Sequence, residues 1–144
     1  MISKEEIKER VAGGWIRSRM TFEVMAAEKK TTTDALSNHI QKLKTAPDNE
    51  VVAEKFEEIV EVSPPPIDVA QAFSQVAEVE ILSQSVESML LVVVTFAPSS
   101  VEVLEPENLQ ISFSTIQSVM NTISDLMHRY AAQGAGGIVF STQK

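Results

Sequence analysis

An α+β fold, one antiparallel sheet with helices packed on one face, is what this 144-residue sequence predicts. Three observations carry the prediction. Residues 15–26 and 70–82 alternate side chains with the period of a half-buried strand. Residues 86–97 and 113–130 repeat apolar side chains with the period of a helix. Breaks rich in Pro, Asn, Ser and Gly separate these runs, and the order that results is strand, helix, strand, strand, helix, strand, then one more helix.

Composition sets the outer limits. Apolar residues make up 44% and charged residues 22%, ordinary for a globular chain that buries one core, so residues 1–144 are read as a single domain. Within it, 15–106 is the core, 112–133 an added helix and 134–144 a Gly-rich tail. Net charge is −8, which repels a phosphate backbone and argues against nucleic-acid binding. With no cysteine, disulfides, thiolate zinc sites and a cysteine nucleophile are excluded. No apolar run reaches the ~18–20 residues of a membrane span. The first ten residues are charged and lack the apolar stretch of a signal peptide, so a cytoplasmic location is expected.

Residues 3–11 read as a short helix. Ser3 and Glu6 have capping-box spacing and Gly13–Gly14 stop it. Its apolar face, Ile7 and Val11, is thin, so weak docking is expected. In 15–26, Ile16, Met20, Phe22, Val24 and Ala26 share one side of a strand, while Trp15, Arg17, Arg19, Thr21 and Glu23 share the other. Residues 31–33, three threonines, are expected to cap a second helix carrying Leu36, Ile40 and Leu43, with Lys42 and Lys44 at its negative end. Residues 47–49 form a turn. Residues 50–62 read as one strand of mixed parity, which suggests a bulge or burial on both faces. The prolines at 64–66 cannot lie in a central strand. In 70–82, Phe73, Ala77, Val79 and Ile81 alternate with Ser74, Val76, Glu78 and Glu80.

Residues 89–96 admit two readings. Val92, Val93 and Val94 favour a strand. Yet Val86, Met89, Leu90, Val93, Val94 and Ala97 share one helical face, Ser83 or Ser85 offers a cap, and Pro98 ends a helix cleanly. The helix is the preferred reading. Residues 101–105 then alternate as a short strand ended by Pro106. Ser112 or Ser114 caps a long helix with the stripe Phe113, Ile116, Val119, Met120, Ile123, Met127 and Tyr130. Gly134 is a candidate helix stop, and 138–140 a candidate edge strand.

Two split strand–helix–strand units of this kind compose a ferredoxin-like βαββαβ sandwich, with a short N-terminal and a long C-terminal helix added. The stretch Phe-Ala-Pro-Ser-Ser-Val-Glu-Val-Leu-Glu-Pro at 96–106 resembles a segment of an uncharacterised archaeal protein family. So do Phe-Ser-Gln-Val-Ala-Glu-Val-Glu at 73–80 and Met-His-Arg-Tyr at 127–130. This resemblance spans about 15–140 and implies the ferredoxin-like fold, with no activity attached. Val-Glu-Val-Leu-Glu-Pro at 101–106 is also similar to the end of the C-terminal module of WYL-domain regulators. The chain lacks their helix-turn-helix and Trp-Tyr-Leu signature, so regulator function does not carry over.

Candidate sites are sparse. Arg17 and Arg19 share a strand face and could clamp a carboxylate, or pair with Glu78 and Glu80 across the sheet. Ser99 and Ser100 could hold a polar ligand, or cap the turn into the last strand. His128 and His39 sit in separate helices without metal-ligand spacing, and a satisfied or solvent-facing histidine is the simpler reading. The glycines of 134–137 follow a helix instead of preceding one, so they read as a stop and not as a phosphate loop. No catalytic residue, metal site or cofactor is predicted. The expected function is a non-catalytic assembly or regulatory module that forms homo-oligomers. The alternatives are a small-molecule sensor holding a ligand near Arg17, Arg19, Ser99, Ser100 and His128, or an enzyme of unknown class.

Overall fold

A computed structural model describes residues 2–66 and 68–133. They form helices α1 (Lys4–Ala12), α2 (Lys29–Leu43), α3 (Val86–Phe96) and α4 (Phe113–Ala132). The strands are β1 (Ile16–Ala26), β2 (Asn49–Phe56), β3 (Val60–Val62), β4 (Ala72–Ser83) and β5 (Ser100–Glu105). The chain divides into two compact units, residues 1–109 and 110–144. The first holds the whole sheet, and the second holds α4. The glycines at 134–137 and the segment 138–140 lie outside the described residues.

The sheet runs in the order β2-β4-β1-β5, with β3 continuing beside β4, and every pairing is antiparallel. The two long strands are central for a physical reason: only β1 and β4 have enough apolar side chains of one parity to line a core. Met20 lies opposite Val79, and Phe22 opposite Ala77. Helix α2 lays Leu36, Ile40 and Leu43 on that face, and α3 adds Val92. His39 links the two helices. Its Nε2 lies 2.8 Å from the Phe96 carbonyl oxygen, and its ring meets Phe22 and Phe96 edge-on, each at 5.5 Å.

The valine-rich segment is the helix α3. Ser85 and Ser88 form a reciprocal capping box at its start. Ala97 closes it in a left-handed conformation, φ 49° and ψ 61°, just before Pro98. An L-residue there sets its Cβ against a carbonyl oxygen, at about 1–2 kcal/mol, while glycine gives up about 0.5–1 kcal/mol more chain entropy. Ala97→Gly is therefore expected to stabilise the protein by about 0.5–1 kcal/mol. The reading is a higher urea midpoint at an unchanged m value, and a lower midpoint would contradict this helix end.

Two expectations need correction. Helix α2 starts before the threonines of 31–33, with Glu28 as its N-cap and no side-chain cap bond. Thr32 lies inside the helix and fully buried, and its hydroxyl donates back to the Glu28 carbonyl at 2.8 Å. The single strand expected at 50–62 is two, β2 and β3. Between them the Gln75 amide donates to the Glu57 carbonyl at 2.9 Å and replaces a ladder bond. The mixed parity of 50–62 is in part a bulge, since the register of β2 against β4 shifts between Val51 and Ala53. Helix α1 buries no residue, in keeping with its thin apolar face, and polar contacts hold it. Arg10 bonds Glu50 at 2.6 Å and sits over the Trp15 ring at 5.0 Å. These contacts place α1 on the sheet face opposite α2 and α3.

Candidate functional site

The face of the sheet turned away from α2 and α3 is the candidate site. Antiparallel register stacks its side chains in rows. Leu82 lies beside Arg17 and Glu105 in one row, Glu80 beside Arg19 and Glu102 in the next, and Glu78 beside Thr21 and Ser100 in the third. Cross-strand neighbours on one face come within reach of long side chains, so each arginine meets a carboxylate on both flanks. Arg17 donates from Nη1 to Glu80 and from Nε to Glu105 at 2.8 Å. Arg19 donates from Nη1 to Glu102 at 3.1 Å, and its Nη2 lies 3.6 Å from the second Glu80 oxygen. Glu80 thus bridges two guanidinium groups.

Arg17 is the centre of this lattice. Its bond to Glu105, foremost, holds the guanidinium above its ordinary pKa; partial burial works against this, and Glu80 adds to the rise. In these rows only Leu82 is apolar. Charged side chains fill most of them, and the like-charge repulsion of a chain at −8 works against stacking two such faces.

An open cleft of about 540 Å³ lies between α1 and this face. Arg17, Glu80 and Glu105 form its floor, Ile7 and Val52 part of its walls, and Lys4 and Lys8 its rim. Neither lysine makes an ion pair with a described residue. Sequence reasoning passed over this cleft because α1 looked poorly apolar. The available signal was Lys4, Ile7, Lys8 and Val11 on a single helical face, at i, i+3, i+4 and i+7.

The candidate ligand residues are spread over β1, the turn into β5, β5 and α4. Arg17 and Arg19 share the lattice, but Arg17 lines the α1 cleft while Arg19 lines a smaller groove of about 190 Å³ with Lys55 and Glu78. Ser99 is committed elsewhere: its backbone N–H donates to the Thr21 carbonyl at 2.7 Å and its hydroxyl lies 3.2 Å from the same oxygen. That carbonyl anchors the start of β5. Ser100 joins the face opposite Thr21, at the far end of β5 from Glu105. His128 belongs to α4 in the second unit. Among the described residues, no group of three or more His, Asp or Glu side chains is placed to hold a metal ion. No described helix is long and apolar enough to cross a membrane.

No curated protein matches the chain. A family model does, over residues 17–142, a span that opens in β1 and takes in α4 but leaves α1 outside. With most of its length matched, the chain belongs to the MJ0538 family, a family named for a Methanocaldococcus protein.

Proposed function

We propose that the protein is a non-catalytic assembly or regulatory module that works by associating with copies of itself. One observation carries this reading. Helix α4 has no buried residue along its 20 positions, yet its apolar stripe leaves Phe113 90% and Met120 58% exposed. Water-facing apolar stripes of this size are costly, and soluble monomers seldom keep them uncovered. On this reading residues 15–106 are a ferredoxin-like core, which the strand order β2-β4-β1-β5 supports, and α4 is the part that associates. Light scattering coupled to size exclusion is expected to give a dimer or larger species at micromolar concentration. A monomer throughout that range contradicts the proposal.

The cleft under α1 favours a second reading, a small-molecule sensor. Two lysines at the rim and apolar walls suit a small apolar molecule bearing a carboxylate or phosphate. A ligand selective for the folded state raises the melting temperature, so a thermal-shift panel of such anions tests it. The absence of any shift across the panel removes this reading.

A further inference from the structure

The stripe on α4 has a spacing that specifies what can cover it. Phe113, Ile116, Met120, Ile123, Met127 and Tyr130 follow one another in alternating steps of three and four residues. That is the 3.5-residue period of a helix packed along another helix, with these six side chains at the a and d positions of a heptad. Helix α2, which packs on the sheet, is built differently. Its buried residues Thr32, Leu36, Ile40 and Leu43 fall at steps of four, four and three.

The positions flanking the seam are uncharged. Val119 and Leu126 lie on one side, Gln117 and Ser124 on the other. The charged residues of α4, Asp125 and Arg129, and the titratable His128 occupy the outer positions b, c and f of the repeat. Heteromeric helix pairs are usually selected by charges at the flanking positions, and this helix has none there. The chain as a whole carries −8, so most of its surface repels a second copy, whereas this seam does not. A helix of 20 residues is about 30 Å long. Of the eight apolar side chains along it, Phe113, Ile116, Met120, Ile123 and Tyr130 are exposed and Val119, Leu126 and Met127 half-buried, and covering them approaches the ~800 Å² per partner of a standard interface.

Resting on the self-association reading, we propose that α4 pairs with α4 of a second copy through the Phe113–Tyr130 heptad seam. The absence of cysteine makes a clean test available. Met120 and Ile123 lie at the middle of the seam: Ile123 faces its counterpart if the paired helices run parallel in register, and Met120 of the second copy if they run antiparallel with the seams overlapped. Under mild oxidation, Ile123→Cys alone (parallel pair) or mixed with Met120→Cys (antiparallel pair) is expected to form a disulfide-linked dimer at dilutions where Asp125→Cys, on the outer face, stays unlinked. Met120→Glu and Ile123→Glu each bury a charge in the seam, against a second Glu in a parallel pair and against an apolar side chain in an antiparallel one. They are expected to weaken association at least about tenfold, or 1.4 kcal/mol, by analytical ultracentrifugation. Because α4 has no buried residue, these variants should keep the wild-type circular dichroism of the sheet-bearing unit. A wild-type oligomer left unchanged by both Glu variants overturns the seam and leaves self-association standing, and Asp125→Cys cross-linking as readily as the seam cysteines does the same. A monomeric wild type overturns both.

Discussion

Phe22→Ala is expected to cost about 3–5 kcal/mol of stability, the usual range for removing a buried aromatic side chain. Phe22 is 2% exposed at the centre of the sheet's helix face, opposite Ala77 and against the His39 ring. Its neighbours do not fill the gap easily. Ala77 is small and fixed in β4, and His39 is held by the Phe96 carbonyl. Losing the ring therefore removes the edge-on contact with His39 as well as buried area, an interaction of about 0.5–1.5 kcal/mol between true aromatic pairs. For a unit of this size the loss corresponds to a melting-point drop of roughly 10–25 °C. Phe22→Leu, which keeps much of the volume, should cost no more than about 1–2 kcal/mol. Thermal and urea unfolding of the two variants give both numbers. If Phe22→Ala lost less than Phe22→Leu, the parity of β1 assigned here would be wrong, because Phe22 would then face water.

The same residue shows where the fold was legible in the sequence. The alternation through Met20, Phe22 and Val24 reports burial on a single face, which is a local property of the strand, and β1 follows it. The helix α3 was legible for a similar reason: Ser85 and Pro98 bracket it, and both act within a turn of its ends. What escaped depended on distant partners. The threonines of 31–33 look like caps, but burial of Thr32 against β4, where its hydroxyl lies 3.4 Å from the Phe73 carbonyl, draws it into the helix interior. Just past Phe56, the Glu57 carbonyl is taken by the Gln75 side chain, far along the chain. Arg17 and Arg19 were correctly placed on one face, and the partner Glu80 was among those expected. Glu102 and Glu105 become partners only through the register of β5 against β1. For Ser99 the sequence leaves two readings open, a cap on the turn or a group that holds a polar ligand. The Thr21 carbonyl that occupies its hydroxyl is contributed by another strand.

Arg17→Met is expected to lose about 1–2 kcal/mol of stability, the second-largest effect of a single change. The arginine is 26% exposed and holds two carboxylates at once. Removing it leaves Glu80 with Arg19 alone and takes from Glu105 its partner on β1. Both acids remain in a face already crowded with like charge. The figure is kept well below that for a fully buried pair because Glu105 is 44% exposed and water screens what is left. Methionine retains most of the aliphatic stem, so the loss reports the charge and its hydrogen bonds more than packing. Arg17→Lys should fall between the two, since an ammonium group cannot fork between Glu80 and Glu105 as the guanidinium does. Salt separates the components: in high salt the gap between wild type and Arg17→Met should narrow, as partly exposed pairs are screened. The pH dependence has a definite sign. A cation whose folded pKa is raised contributes fully below its unfolded value and loses that contribution only as pH climbs through the folded one. For Arg17 both lie far above neutrality, so this contribution should be flat across the neutral range in urea titrations. If Arg17→Met instead unfolds at the wild-type urea concentration in low salt, the lattice is a solvated surface with no net stabilising role. The arginine would then be held on this face for the cleft beneath α1, and the anion panel becomes the experiment that decides it.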